Sequence, residues 1–187
     1  MSVSRLSKQS IQTGFPKQQT IWDQFSQPAA MDALGSVFLT AGSSSVVFSN
    51  IPATYTHLQL RTYGFSSNTD CFLYFGTDTT NTNYRRSGLM GDGGSASVFN
   101  DNAPYTDPGA INSSYPHCMI FDILDYTGTT KNKISKISFG QDNNGSGRVG
   151  MESIVWYGSG TLSPISQITL SGRAFAAGTS IALYGIK

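Results

Sequence analysis

Short runs of strand-forming residues, separated by glycine, asparagine, aspartate and serine, follow one another from residue 36 to the last residue. In residues 57–65 the side chains alternate, so that Leu58, Leu60 and Thr62 share one face and polar residues share the other. A period of two is typical of a strand that buries one face. Residues 71–76 are apolar on both faces, which predicts a strand in the centre of a sheet.

The whole pattern predicts an all-β protein of nine to eleven strands, with no helix apart from a turn around residues 29–34. Regular short strands with turn residues between them indicate an antiparallel β-sandwich, jelly-roll-like in form. No repeat of fixed period is visible, which argues against a solenoid or a propeller. The predicted strands are residues 36–40, 45–49, 57–65, 71–76, 84–89, 96–99, 117–126, 133–140, 148–158, 167–173 and 180–186.

The first 34 residues show neither a period of two nor a sustained helical period. Their few apolar residues stand among serine, glutamine and lysine, and are too sparse to offset the entropy of ordering such a segment alone. We therefore predict an anchoring arm at residues 1–34 and a β-sandwich domain at residues 35–187. Phe15, Trp22 and Phe25 are the predicted assembly anchors, because large aromatic residues dominate interfaces. The alternative is an arm that folds back onto its own domain.

Residues 77–116 form the least regular stretch and are rich in asparagine, aspartate, glycine and tyrosine, with two short strands expected inside it. Long loops of this kind tend to carry function. Tyr84, Arg85, Arg86 and Tyr105 are the candidate surface and ligand contacts in this loop. The alternative is that these four residues mediate contacts between copies of the chain.

Charge and composition exclude several classes of partner. Charged residues make up 12% of the chain and the formal net charge is +1, so we expect no binding to nucleic acid. The chain has neither a signal-peptide core nor an apolar run of transmembrane length, and we expect a soluble protein with no membrane insertion. The two cysteines, Cys71 and Cys118, are too few for a disulfide framework or a zinc site, and we expect buried, unpaired thiols; the alternative is a disulfide between them, if neighbouring strands bring them together.

Two glycine-rich segments resemble ligand-binding loops but depart from their patterns. Residues 142–147, DNNGSG, match the start of an EF-hand calcium loop, yet the twelfth position is Ser153 instead of a bidentate glutamate. Glu152 falls one residue short, so we predict a hairpin turn and assign no metal ligand. Residues 91–95, GDGGS, lack the Lys-Ser/Thr pair of a phosphate loop and are also predicted to form a turn.

The ionisable residues do not indicate catalysis. A nucleophilic triad needs a general base, and the chain has only two histidines. His117 and Cys118 are neighbours in a strand and point to opposite faces, so we interpret them as a histidine at the rim beside a packing cysteine. Asp122 and Asp125 lie on opposite faces as well, with Asp122 expected to point inward. We assign no catalytic residue and no cofactor, and we expect a protein that is not an enzyme.

Several segments resemble small virion structural proteins of tailed bacteriophages, of marine and cyanobacterial phages in particular. The most specific segments are NIPATYTHLQLR, DILDYTGTTKNK and the terminal SIALYGIK, and the similarity extends over nearly the whole chain. They are similar to β domains of fibre-like and decoration proteins. The resemblance implies a virion component that is assembled in the host cytoplasm and has other virion structural proteins as partners. It implies no catalytic motif.

We therefore expect a tail or neck fibre-like appendage protein whose arm attaches it and whose β-sandwich projects outward. Binding to the host surface is a further expectation, with a surface glycan as one candidate partner. Strand-rich chains of low charge with a tether suit a symmetric assembly, for which we expect a homotrimer. A capsid decoration protein bound across capsomer junctions is the alternative. A carbohydrate-active tailspike enzyme is less favoured, because no credible pair of carboxylates is present.

Overall fold

The computed structural model describes residues 30–64, 70–106, 115–142, 146–158 and 162–187, and these residues form twelve strands and one 3₁₀ turn, Asn81–Asn83. Strand bounds agree with most of the runs predicted from alternation. The strands are β1 (Met31–Phe38), β2 (Ser43–Phe48), β3 (His57–Gly64), β4 (Cys71–Phe75), β5 (Tyr84–Gly91), β6 (Ala96–Asp101), β7 (Tyr105–Thr106), β8 (His117–Leu124), β9 (Lys133–Asp142), β10 (Gly147–Trp156), β11 (Ile168–Phe175) and β12 (Ser180–Ile186).

The strands form two antiparallel sheets. The larger sheet has eight strands in the order β1-β12-β3-β8-β9-β10-β5-β6, and the smaller sheet has the order β2-β11-β4-β7. One hydrophobic cluster includes residues from both sheets, among them Leu60 and Phe121 from the larger and Leu73 and Leu170 from the smaller. Two antiparallel sheets with a shared core form a β-sandwich, as the sequence predicted.

The connectivity explains the jelly-roll character of the sandwich. Two hairpins, β5–β6 and β9–β10, add four strands to the β8 side of the larger sheet. When these hairpins are set aside and the other eight strands are renumbered in chain order, the sheet orders become 1-8-3-6 and 2-7-4-5. Two four-stranded sheets interleaved in this way are the plan of a jelly roll. The hairpins extend the larger sheet to eight strands, and the candidate surface described below lies on this extension.

The alternation read from residues 57–65 is confirmed in strand β3. Leu58 and Leu60 are fully buried and Thr62 nearly so, while Arg61 and Tyr63 are exposed. Strand β4 has strands on both sides, as its two apolar faces predicted, although its pairing with β7 is only two residues long. Burying an aliphatic or aromatic side chain contributes about 1.5–3 kcal/mol, so these inward rows are the main source of stability.

One part of the predicted layout differs in the structure. Residues 31–34, which the sequence placed in the arm and in a turn, form the first half of β1 and pair with β12. The Met-Asp-Ala-Leu sequence of these residues shows no clear period of two, so the strand was not predicted. The structure explains the missing period by a bulge between Ala33 and Gly35, which shifts the register of β1. Within residues 77–116, the two short strands predicted at residues 84–89 and 96–99 are confirmed as β5 and β6, which are two residues longer each.

Strand β8 has the opposite orientation to the one predicted. Met119, Phe121 and Ile123 face the core, so Asp122 points outward, where it accepts a hydrogen bond of 2.6 Å from Gln59 Nε2. For the same reason His117 is buried and Cys118 is exposed, which corrects the prediction of a rim histidine and a packing cysteine. Cys71 is buried as expected, and no disulfide joins the two cysteines.

Candidate interaction surfaces

Tyr84 was predicted as a surface contact, and the structure places it in the core. It is the first residue of β5, it faces inward, and it is fully buried. Its hydroxyl donates to the carbonyl oxygen of Asp78 at 2.8 Å and accepts from the amide of Phe75 at 3.0 Å. Burial raises the pKa of this phenol far above its usual value. Tyr84 therefore anchors the turn between β4 and β5 and is not available to a ligand.

Arg86 is also buried, with 5% of its surface exposed, because it lies two residues after Tyr84 on the same face of β5. Its guanidinium donates to both carboxylate oxygens of Asp101, at 2.9 and 3.1 Å. The guanidinium carbon lies 4.3 Å from the ring centre of Phe99 and 4.2 Å from that of Tyr105. This stacked, bidentate arrangement joins the β5–β6 hairpin to β7 and has a structural role.

Of the four predicted contact residues, Arg85 alone is exposed, because it faces outward between the two buried residues of β5. Tyr105 is half-buried, and its ring lies 5.4 Å from that of Phe72. The strand predicted at residues 84–89 puts Tyr84 and Arg86 on one face and Arg85 on the other, but alternation alone does not indicate which face is buried. The predicted assembly anchors, Phe15, Trp22 and Phe25, lie outside the described residues.

The carboxylate of Asp78 organises the turn between β4 and β5. Its Oδ2 accepts from Trp156 Nε1 and from Asn83 Nδ2, both at 2.8 Å, and its Oδ1 accepts from the amide of Thr80 at 3.0 Å. Burial raises the pKa of this carboxyl, but the hydrogen bonds lower it by more, so that the pKa lies below its usual value. Trp156, the donor to Oδ2, is buried, whereas the next residue, Tyr157, is exposed.

We expect Asp78→Asn to reduce the free energy of unfolding by about 1 kcal/mol at about pH 7, because the amide nitrogen turns one acceptor into a donor that faces other donors. The lowered folded-state pKa means that Asp78 stabilises the fold above its unfolded pKa of about 3.9 and loses this effect as the pH falls through the folded pKa. Urea denaturation at about pH 7 and about pH 3 should therefore show a smaller difference between variant and wild type in acid. An equal difference at both pH values would contradict this role.

The tips of the two added hairpins lie side by side and form an open cleft of about 400 Å³. The turn at residues 91–95 is confirmed, with the Asp92 carboxylate accepting from the amides of Gly94 at 3.0 Å and Ser95 at 2.7 Å. These backbone donors lower the pKa of Asp92. Arg148 lies on the opposite wall, so the cleft offers charges of both signs to a small polar molecule.

The predicted hairpin at residues 142–147 is confirmed by the pairing of β9 with β10, in which Gly147 lies opposite Asp142. The calcium-loop residues 143–145 lie outside the described part of the chain. Among the described residues, no group of three or more His, Cys, Asp or Glu side chains could hold a metal ion. In that same part of the chain, no helix has the length and apolar character needed to cross a membrane.

An apolar patch on the outer face of the sheet extension was not predicted. It consists of Leu89, Val98, Val149 and Met151, which are 58%, 86%, 66% and 47% exposed. Leu89 is on β5, the middle strand of the patch. It pairs with Val98 of β6 on one side and with Met151 of β10 on the other. Val149 lies two residues before Met151 and so shares its face. Clusters of exposed apolar side chains of this kind mark interaction sites.

The sequence contained a signal for this patch that was missed. Both β5 and β10 have apolar residues on each face: in β10, Val149 and Met151 alternate out of phase with Ile154 and Trp156, so one apolar set must face outward when the other faces the core. Comparison with protein-family models, with curated proteins and with solved structures found no match for this chain. The assignment of function therefore depends on the fold, on this patch and on the resemblance noted in the sequence.

Proposed function

We propose that this protein is a non-enzymatic structural component of a tailed-phage virion. In this proposal it is an appendage protein, attached through its N-terminal arm, and its β-sandwich projects outward. The observation that carries the proposal is the apolar patch on the sheet extension, formed by Leu89, Val98, Val149 and Met151. A patch of this kind on a folded domain is best explained by a surface that is covered in an assembly.

Three further observations support an assembly role. The jelly-roll connectivity is common in viral capsid proteins and lectins, an analogy at the level of the fold. The patch lies on hairpins added to the jelly roll and not on its basic eight strands, so the added strands supply an outer surface that the basic jelly roll does not have. The segments NIPATYTHLQLR and SIALYGIK, which carry the resemblance to virion proteins, fall on or beside strands β3 and β12, which pair with each other.

The number of copies in each particle tests the proposal. Quantitative mass spectrometry of purified virions, with the major capsid protein as the internal standard, is expected to give tens of copies, as for a tail or neck appendage. Hundreds of copies would instead identify a capsid decoration protein, the second candidate. In that case the apolar patch would be the surface that binds across capsomer junctions. A protein that is expressed in infected cells but absent from purified particles would refute both assignments.

A further inference from the structure

Strand β6 is an open edge of the eight-stranded sheet. It pairs with β5 on one side, and no described strand pairs with its other side. The strand, ASVFND, has no proline and no lysine, and its one charged residue is Asp101 at its end. Edge strands normally have charges, prolines or bulges that prevent pairing with another chain. A six-residue edge whose only charge lies at its end is therefore suited to pairing.

The other sheet edges are less suited to pairing. Strand β1 has a bulge between Ala33 and Gly35, and its Asp32 forms an ion pair of 3.0 Å with Lys187. Strand β7 has only two residues. Strand β2 is uncharged, but the neighbouring outward positions on β11 are Thr169 and Ser171, so no apolar face adjoins that edge. Among the described edges, β6 alone combines an open backbone with the apolar patch.

We propose that β6 pairs antiparallel with β6 of a second copy, about a two-fold axis at Val98, which makes the assembly a dimer in place of the homotrimer expected from the sequence. The choice of a second copy as the partner rests on the proposed function, in which copies assemble at one site on the virion. A single strand that pairs with its own counterpart makes an isologous contact, the form that closes as a dimer. The pairing would satisfy the outward backbone groups of both edges at once.

The side chains of β6 fit this register. With Val98 opposite its counterpart, Ala96 lies opposite Asn100 and Ser97 lies opposite Phe99. The two Asp101 carboxylates are then six residues apart along the strands, about 20 Å, whereas a parallel pair in register would place them about 5 Å apart. Charge therefore favours the antiparallel arrangement. The two apolar patches join across the axis into one continuous strip, in which Val98, the most exposed member at 86%, becomes central.

The first test measures the mass of the full chain in solution by sedimentation equilibrium. The expected value is twice the 20.1 kDa of one chain. Val98→Lys should raise the dissociation constant of the dimer by about a hundredfold or more, because it brings like charges together at the axis. Val47→Lys is the matched control, since Val47 is also an exposed valine on an uncharged edge strand, 50% exposed on β2, and should leave the dimer intact. A monomer, a trimer, or equal effects of both variants would overturn the proposal.

A cross-linking test does not depend on the effect of a charge. In a Cys118→Ser background, which removes the exposed native thiol, Val98→Cys should form an intermolecular disulfide under mild oxidation. Directly opposed residues in an antiparallel pair have Cα atoms about 4.5–5.5 Å apart, within the range of a disulfide. Leu89→Cys is the control, because its counterpart would lie three strand spacings away, about 14 Å. A Leu89→Cys cross-link that forms as readily as that of Val98→Cys would overturn the register.

The outcomes separate this inference from the proposed function. A chain that is present in virions but monomeric, with no cross-link at Val98, would refute the edge pairing and leave the virion role standing. A chain that forms the Val98 dimer but is absent from virions would refute the virion role and leave the edge pairing standing.

Discussion

Replacing Tyr84 by alanine is expected to lower the free energy of unfolding by about 3–5 kcal/mol, the usual cost of removing a buried aromatic side chain. The ring is fully buried and lies 6.3 Å from that of Phe75 and 6.4 Å from that of Trp156, between centres. The variant would leave a cavity at the junction of the two sheets and would remove the hydroxyl that bridges Phe75 and Asp78. Urea or guanidinium denaturation at neutral pH measures the loss.

Two companion variants separate the contributions to this effect. Tyr84→Phe keeps the ring and removes the bridging hydroxyl, so it should cost about 1–2 kcal/mol, as expected when a buried amide donor loses its acceptor. Tyr157→Ala, at an aromatic residue that is 42% exposed, should change stability by no more than about 0.5 kcal/mol. If Tyr84→Ala were no more destabilising than Tyr157→Ala, the position of Tyr84 in the core would be wrong.

Alternation within a single strand was predictable from the sequence because burial of one face determines it. Strand β3 follows the predicted pattern residue by residue, since one side faces the core and the other faces solvent. Strand β8 shows the limit of this reasoning. Its residues were assigned to the correct two faces, but both faces contain large apolar side chains, so the choice of the inner face depended on packing against the other strands. Asp122, which points outward, and His117, which points inward, were both misassigned for this reason.

The candidate surface was less predictable than the fold, because it depends on strands that are far apart in the sequence. Leu89 and Met151 are 62 positions apart in the chain and face each other only because β5 and β10 pair. Alternation within one strand cannot indicate which strands will be neighbours. In the same way, the buried position of Arg86 depends on Phe99, Asp101 and Tyr105 from two later strands, and without them an arginine in a polar stretch suggests an exposed side chain.

Deleting residues 1–29 is expected to abolish incorporation into virions and to leave the β domain folded. The deletion ends before β1, which begins at Met31. Deletion of the whole predicted arm, residues 1–34, would confound the test, because it removes Asp32. The Asp32 carboxylate lies 3.0 Å from Lys187 Nζ and accepts a hydrogen bond of 3.0 Å from the hydroxyl of Tyr55. Loss of these contacts and of half of β1 would damage the fold itself.

A substitution set of unchanged length tests whether the aromatic residues act as anchors. Aromatic anchors at an interface typically contribute about 2 kcal/mol or more each, so alanine at Phe15, Trp22 and Phe25 together should reduce the copies per particle to background. The matched control has alanine at three polar positions of the same segment, Gln9, Gln18 and Gln24. The control should be incorporated at the wild-type level, as measured by mass spectrometry of purified particles. Wild-type incorporation of the shortened chain would show that the attachment surface lies on the β domain, and the apolar patch would then be the first place to look for it.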